Sequence, residues 1–215
     1  RELSLSPEQL DVYSQLKKHA RAVILDKEIS YTNKLTEILR LHQVCCGFYK
    51  SDDGQIQELK NPKIKELCNI LDETDGKVII WANYIFNINQ ILQTIKKQYP
   101  YDKCVSVYGA VSVADRDKAV NDFQNDKHTR FLVGNPATGG YGLNLTEAQT
   151  VVYFSNSYDL TVREQSEDRA HRKGQTKSVT YIDLVMKGTI DEFILKALNN
   201  KKRMSAQVLG EDVLN

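Results

Sequence analysis

The sequence predicts an α/β fold in which a mainly parallel sheet lies between two layers of helices and follows a helical extension. From Lys77 onward, short apolar runs of strand length alternate with amphipathic helical segments. This alternation is typical of parallel sheets with right-handed crossovers. Before that point the apolar residues recur almost only at helical spacing. We therefore expect a helical extension over residues 1–73 and an α/β domain over residues 74–215.

The helical extension contains clear signals for where its helices begin and end. Ser6 followed by Pro7 marks a helix start, because serine caps helices well and proline suits the first helical position. Gly47 is a plausible end for a later helix. In order, the predicted elements are a short strand at Leu3 and Leu5, a helix to about Ala20, a helix over 29–46, a turn or small hairpin at Asp53-Gly54, and a helix after Pro62.

Five strands are predicted in the α/β domain, and several are continuous apolar runs that suit strands buried on both faces. The strands are Val78–Trp81, Cys104–Tyr108, Phe131–Val133, Val151–Phe154 and Val179–Met186. The helices between and after them are 84–98, 112–124, 160–173 and 189–204. Ligands of parallel sheets bind beyond the carboxyl ends of the strands, so the loops there are the first candidates for a site.

Composition excludes several classes of function. The net charge of +1 gives no overall basic field, so any contact with nucleic acid must come from a local patch. No apolar run approaches about 18 residues, so we expect no membrane partner. The cysteines lack C-x-x-C spacing and a second ligand cluster, so we expect no metal site. The four cysteines are Cys45, Cys46, Cys68 and Cys104.

A glycine-rich loop, residues 134–145, follows the third strand of the domain. Its closely spaced glycines allow backbone N–H groups to approach an anion, and its polar side chains suit the phosphates of a nucleic-acid backbone. The Lys and Ser/Thr of a nucleotide P-loop are missing. The site candidates in this loop are Thr138, Gly139, Gly140, Gly142 and Asn144. A flexible connecting loop without a ligand is the alternative interpretation.

A basic tract reads Q-S-E-D-R-A-H-R-K-G-Q from Gln165 to Gln175. On the predicted helix, Arg169 and Arg172 are three residues apart and therefore share a face. Two forked, permanently charged donors aimed at one point suit a polyphosphate, above all the phosphoryl group in transfer. An R-x-x-R pattern by itself is more often an ordinary solvated helix turn.

Three further residues follow strands and are candidates for contact with a sugar-phosphate chain: Tyr108, Ser155 and Tyr158. Capping of the next helix explains the serine and tyrosine after the fourth strand equally well. The basic run Lys201 to Arg203 is more typical of a solvated helix end than of a DNA contact.

Taken together, these tracts resemble the C-terminal RecA-like lobe of a Swi/Snf-type superfamily-2 helicase or DNA translocase. Residues 138–148, T-G-G-x-G-L-N-L-x-x-A, resemble motif V of that family, and residues 165–175 resemble motif VI. The resemblance covers nearly the whole chain. It departs from the family pattern at Tyr158, where the family usually has a tryptophan.

The resemblance implies a RecA-like three-layer domain and a set of roles. Arg169 and Arg172 would be arginine fingers, Gln165 would couple the nucleotide site to the lobes, and Gly140, Gly142 and Asn144 would lie near nucleotide or DNA backbone. ATP would be the cofactor, with magnesium held by an N-terminal lobe of the same protein, and double-stranded DNA would be the partner. The compact spacing favours a bacterial or phage member in the cytoplasm; a eukaryotic member would be nuclear.

The chain lacks a Walker A motif and a D-E-x-H box, so the groups that hold magnesium and position water are absent from it. We therefore expect the chain alone to be inactive, and its start at Arg1 suggests a fragment. A non-catalytic nucleic-acid-binding module is the alternative function. A small-molecule α/β enzyme is a weaker third interpretation, because no nucleophile–base pair is evident.

Overall fold

The computed structural model describes residues 1–25, 31–51, 53–138, 143–172, 175 and 178–209. These residues form two compact units, one of Arg1–Glu66 with Val185–Phe193 and one of Leu67–Leu184 with Ile194–Asn215. The helices are α1 (Pro7–Leu25), α2 (Tyr31–Cys45), α3 (Pro62–Glu73), α4 (Ile85–Gln98), α5 (Val113–Asn125), α6 (Leu160–Ala170) and α7 (Ile190–Leu209). The strands are β1 (Glu2–Leu3), β2 (Phe48–Lys50), β3 (Ile56–Glu58), β4 (Lys77–Trp81), β5 (Lys103–Val107), β6 (Thr129–Gly134), β7 (Ala148–Tyr153), β8 (Thr180–Asp183) and β9 (Val185–Met186).

The larger unit is built on a five-stranded sheet with the order β5-β6-β4-β7-β8. Every pair of neighbouring strands in this sheet is parallel. The central strands β4, β6 and β7 are almost completely buried, as their continuous apolar runs require. The predicted α/β fold with a parallel sheet is therefore confirmed.

The core of the larger unit is closely packed where strands β4, β5 and β6 end. Gly134, the last residue of β6, lies so close to the neighbouring strand that a Cβ would be 2.4 Å from the carbonyl oxygen of Val107 and 3.0 Å from the ring of Trp81. Only glycine fits there without a shift of backbone. The fully buried core residues include Ile79, Trp81, Val107, Phe123, Leu132, Leu145 and Val151.

The smaller unit contains α1, α2, the β2–β3 hairpin and the parallel pair of β1 with β9. The start of α1 is a reciprocal cap, because Gln9 N donates to Ser6 Oγ at 3.2 Å and Ser6 N donates to Gln9 Oε1 at 3.0 Å. The hairpin turns at Gly54, whose φ is +85°. The helix start at Ser6 and the hairpin near Asp53-Gly54 are as predicted.

The predicted strand Val179–Met186 is wrong as a single element. Residues 180–183 pair with β7, and Leu184 N still donates to Tyr153 O at 3.0 Å. The next amide, Val185 N, donates instead to Arg1 O at 3.0 Å, so β9 pairs with β1. Residues 179–186, V-T-Y-I-D-L-V-M, contain no glycine or proline and are rich in strand-forming residues, so the sequence does not show where the partner changes.

The predicted domain boundary between residues 73 and 74 stays a prediction. The two units of the structure are compact regions, and a compact region need not coincide with a domain. Those units divide at Glu66 and Leu67, and the smaller one also takes in residues 185–193. No helix in the described part of the chain has the length and apolar character needed to cross a lipid bilayer.

Candidate functional site

Hydrogen bonds join the loops at the carboxyl ends of three sheet strands. Asn83, just after β4, donates its backbone N–H to Ser155 Oγ at 2.9 Å and accepts at its carbonyl from Asn135 Nδ2 at 2.9 Å. Ser155 follows β7 and Asn135 follows β6. The asparagines at 83 and 135 were not among the predicted site residues, although a polar residue directly after a buried strand was a signal for them.

Ser155 is 1% exposed, and its hydroxyl accepts the Asn83 N–H. The side chain therefore fastens two loops together. A contact between Ser155 and nucleic acid stays a prediction, and the burial of the hydroxyl does not favour it. The cap of the following helix is Asp159, which accepts from Thr161 N at 2.9 Å.

The glycine-rich loop begins with a turn that Asn135 shapes. Asn135 Oδ1 accepts from Ala137 N at 2.9 Å, and its carbonyl accepts from Thr138 N at 3.0 Å. Thr138 is half-buried at the end of this turn, and Asn144 is exposed beyond it. The predicted residues Gly139, Gly140 and Gly142 lie outside the described residues.

Helix α6 ends at Ala170, three residues before the predicted end. Leu145 N donates to Arg169 O at 3.0 Å, and Gln175 Nε2 donates to Ala170 O at 3.3 Å. Other segments thus take up the carbonyls at the helix end. Arg169 lies in the last turn and Arg172 lies after the helix. The prediction that the two arginines share a helical face is therefore wrong.

The same contacts bring the two predicted tracts together. Besides the bond between Leu145 and Arg169, Gln175 Nε2 donates to Thr146 O at 2.7 Å and to Ala148 O at 3.3 Å. The last residue of the glycine-rich loop and the segment that follows it are therefore hydrogen-bonded directly to the basic tract. Gln165 and Arg172 are exposed and Arg169 is half-buried, so all three side chains retain some access to solvent.

The two candidate tyrosines lie at separate strands. Tyr108 is half-buried directly after β5, at one edge of the sheet, whereas Tyr158 is 36% exposed in the loop after β7. Strands β6 and β4 lie between them. The carbonyl of Tyr158 accepts from Lys201 Nζ at 2.8 Å, so this lysine of the basic helix end contacts the loop.

Arg163 is the centre of a partly buried ionic network that the sequence did not reveal. Its guanidinium contacts Asp183 at 2.5 Å and Glu167 at 2.7 Å, and its Cζ lies 3.5 Å from the ring centroid of Tyr153. Burial lowers the pKa of Arg163, but the hydrogen bond and charge of Asp183 more than reverse this, so that the pKa lies above its ordinary value. Burial also raises the pKa of the Tyr153 phenol.

In the part of the chain that the structure describes, no group of three or more His, Cys, Asp or Glu side chains is placed to hold a metal ion. All four cysteines are free thiols, and Cys45 and Cys46 are buried. Burial raises the pKa of the Cys45 thiol and raises that of Cys104 to about 12. Such thiols are poor nucleophiles at neutral pH.

Comparison with known proteins identifies the family of this chain. The model of the helicase conserved C-terminal domain matches residues 62–174. An uncharacterized ATP-dependent helicase of Mycoplasma genitalium is 29% identical over 215 residues, which cover 98% of this chain and 20% of that protein. The chromatin-remodeling ATPase INO80 of Mycosarcoma maydis is 39% identical over 156 residues, covering 72% of this chain and 8% of that protein.

A solved structure, the Sulfolobus solfataricus SWI2/SNF2 ATPase core in complex with dsDNA, superposes with a TM-score of 0.75 and 26% identity. The superposition covers 94% of this chain and 43% of that one. The chain spans a fifth or less of the length of these two relatives. The relatives are bacterial and fungal proteins, so they do not support the narrower expectation of a phage protein. The matched segment 62–174 contains the whole glycine-rich loop and all of the basic tract except Gln175. The chain belongs to the helicase conserved C-terminal domain family, among the Swi2/Snf2-type ATPase lobes that its motifs resemble.

Proposed function

We propose that this chain is the C-terminal lobe of an ATP-dependent DNA translocase and that it supplies Arg169 and Arg172 to an ATP site completed by a preceding lobe. One observation carries this proposal: the basic tract is hydrogen-bonded to the end of the glycine-rich loop, because Leu145 N donates to Arg169 O and Gln175 Nε2 donates to Thr146 O. We infer that the basic tract and the glycine-rich loop contribute to one surface, and the hydrogen bonds that join their ends support this.

The residues on this surface fit a polyphosphate. Guanidinium groups are donors with permanent charge, and their forked geometry matches phosphate oxygens. Arg172 is exposed beyond the helix end, and the half-buried Arg169 precedes it in the last turn. Bound ATP would supply the phosphoanhydride bond that is hydrolysed, and magnesium would be held by the preceding lobe. The chain's own contribution is the cationic half of the site.

The arginines favour a closed arrangement of two lobes. Their electrostatic interaction is most favourable when they reach the terminal phosphate, because negative charge spreads over its oxygens in the transition state. This favourable interaction is lost once the phosphate has left. The lobe that carries them is thus biased between two positions, which is the basis of a stepping motion. An arginine finger contributes ~10³ or more in rate.

DNA is the proposed substrate for this motion. Tyr108, Thr138 and Tyr158 lie after strands β5, β6 and β7, at the edge where parallel sheets bind ligands. We assign Gly139 to the same DNA contact, and Gly140, Gly142 and Asn144 to the bound nucleotide or the DNA backbone. The Sulfolobus SWI2/SNF2 core was solved with double-stranded DNA, which supports duplex DNA as the partner here.

The proposal is tested by Arg172→Ala in the two-lobe protein. We expect DNA-stimulated ATP turnover to fall by about 10³ while ATP binding changes little, because the finger acts in the transition state. Arg40→Ala is the matched control, since Arg40 lies on α2 and pairs with Glu37 at 3.4 Å. Turnover near the wild-type rate in the Arg172 variant would exclude the finger role and favour the non-catalytic binding module.

A further inference from the structure

All three guanidinium nitrogens of Arg163 donate hydrogen bonds within the larger unit. Nε donates to Glu167 Oε1 at 2.7 Å, and Nη1 donates to Asn156 Oδ1 at 2.7 Å and to Asp183 Oδ1 at 2.5 Å. Nη2 donates to Asp183 Oδ2 at 3.3 Å. The face of the group lies over Tyr153 at 3.5 Å, and the side chain is only 12% exposed. One side chain thus joins four elements of the unit.

The partners of Arg163 lie next to the proposed functional residues. Asn156 belongs to the loop that carries Tyr158, and its Nδ2 also donates to Asp183 Oδ1 at 2.6 Å. Glu167 lies on α6 between Gln165 and Arg169. The DNA-facing loop and the ATP-facing helix therefore meet at a single guanidinium.

Helix α7 reinforces the same junction. Lys202 Nζ lies 3.3 Å from Glu167 Oε2, and Lys201 Nζ donates to Tyr158 O at 2.8 Å. The adjacent cavity, lined by Arg163, Asp183 and Lys202 among others, has a volume of about 60 Å³. Ligand pockets are generally several hundred Å³, so this cluster does not hold a nucleotide.

We propose that Arg163 is a positioning residue that locks the loop of Tyr158 to the helix of Gln165 and Arg169, so that DNA contact and ATP turnover depend on one buried guanidinium. The inference rests on the proposed function, because it assigns the two sides their ligands. Displacement of α6 by as little as about 1 Å is enough to cost a large factor in rate.

The geometry requires arginine. The four hydrogen bonds use the planar, forked N–H groups of the guanidinium. Stacking on Tyr153 uses its flat face. A lysine keeps the charge but cannot span Glu167, Asn156 and Asp183 together. Arg163→Lys is therefore the conservative variant, and Arg163→Met removes both charge and fork while keeping an apolar stem.

Arg130 provides a matched control at the opposite end of the sheet. Its Nη2 donates to Leu71 O at 2.7 Å and to Thr74 O at 2.6 Å, and its Cζ lies 4.8 Å from the ring centroid of Phe131. It resembles Arg163 in its packing, but it lies near the amino end of β6, away from the proposed site. Arg130→Met is expected to lower the melting temperature without changing the kinetics.

The experiment measures ATP turnover against duplex DNA concentration in the two-lobe protein, at a temperature where each variant is folded by circular dichroism. For Arg163→Met we expect about a tenfold lower maximal turnover and about a tenfold higher DNA concentration at half-stimulation. Arg163→Lys keeps the buried charge and serves as the second variant if Arg163→Met does not fold. For Arg163→Lys we expect about threefold changes in maximal turnover and in the DNA concentration at half-stimulation. A purely structural role would leave both constants within about twofold of wild type, as in Arg130→Met, and would overturn the inference.

Arg172→Ala in the same series separates this inference from the proposed function. It should lower turnover without raising the DNA concentration at half-stimulation. If it retains turnover while Arg163→Met still changes both constants, the finger assignment fails and the positioning role stands. If Arg163→Met and Arg163→Lys change neither constant, the positioning role fails whatever Arg172→Ala does.

Discussion

Lys63 Nζ lies 2.6 Å from Asp191 Oδ2 in the smaller unit, with 0% and 5% of the two side chains exposed. Burial lowers the pKa of Lys63, but the charge of Asp191 more than reverses that shift, and the pKa is raised. Burial likewise raises the pKa of Asp191, while Lys63 lowers it below its ordinary value. Both groups are therefore charged at neutral pH. The pair joins residues that are far apart in sequence, at α3 and at the start of α7.

Removal of Lys63 alone should lower the free energy of unfolding far more than removal of Lys63 and Asp191 together. Lys63→Met leaves the Asp191 carboxylate buried without its counter-charge, and we expect the free energy of unfolding to fall by about 3–5 kcal/mol. Lys63→Met with Asp191→Leu should recover most of this loss, because no buried charge remains. Urea titrations followed by far-UV circular dichroism measure both. A single variant as stable as the double one would contradict a charged pair.

His42 should make the smaller unit sensitive to mild acid. Its Nε2 lies 3.7 Å from Asp191 Oδ1, and burial lowers its pKa from 6.5 to about 4, although Asp191 opposes the shift. Between those values the unfolded chain binds a proton that the folded chain does not. Stability is therefore lost as pH falls from 6.5 toward 4, by ~2 kcal/mol at pH 5.

The comparison for this prediction is His42→Gln, which cannot titrate. Its stability should change less than that of wild type between pH 7 and pH 5 in thermal melts. His128→Gln, at an exposed position, should keep the wild-type pH dependence. The Asp191 contribution is lost only below its ordinary pKa of 3.8, outside this window. Equal pH dependence in the wild type and the His42 variant would show that His42 is not the responsible group.

The sheet was predictable because its signal is local. The apolar runs of β4, β6 and β7 and the helical periodicity between them need no knowledge of distant residues. Two errors arose where a distant partner decides the outcome. Helix α6 ends early because Leu145 N takes the carbonyl of Arg169, and the fifth predicted strand divides because Val185 N turns to Arg1 O. Neither partner is visible in the local sequence.

The candidate site shows the same limit. Both tracts could be proposed from the sequence because glycine spacing and paired arginines are local patterns, and their role in a site stays a prediction. Arg163 was missed because its partners Asn156, Glu167 and Asp183 lie in three different segments: the loop after β7, helix α6 and strand β8. Asn83 and Asn135 were missed for a similar reason, since their hydrogen bonds run between strand ends. Residues that position other side chains leave weaker sequence patterns than residues that contact a ligand.

Gln175 should hold the two tracts together. Its Nε2 is the donor to Thr146 O, Ala148 O and Ala170 O at 2.7, 3.3 and 3.3 Å. Gln175→Glu removes that N–H donor and places a carboxylate against carbonyl oxygens, so we expect a loss of about 1–3 kcal/mol in the free energy of unfolding. Hydrogen exchange at the Leu145 amide should accelerate. Gln98→Glu, at the exposed end of α4, is the control; it should lower the free energy of unfolding by less than about 1 kcal/mol and leave exchange at Leu145 unchanged.

Arg172 should contribute to ATP turnover and not to the salt dependence of DNA binding. Each phosphate that a lysine or arginine neutralises releases counterions and adds about 0.9 to the slope of log affinity against log salt. If Arg172 faces ATP, Arg172→Ala leaves that slope unchanged in the two-lobe protein, as measured by fluorescence anisotropy of labelled duplex. If Arg172 instead contacts the DNA backbone, the slope falls by about one. A reduced slope with normal turnover would assign the basic tract to DNA and remove it from the ATP site.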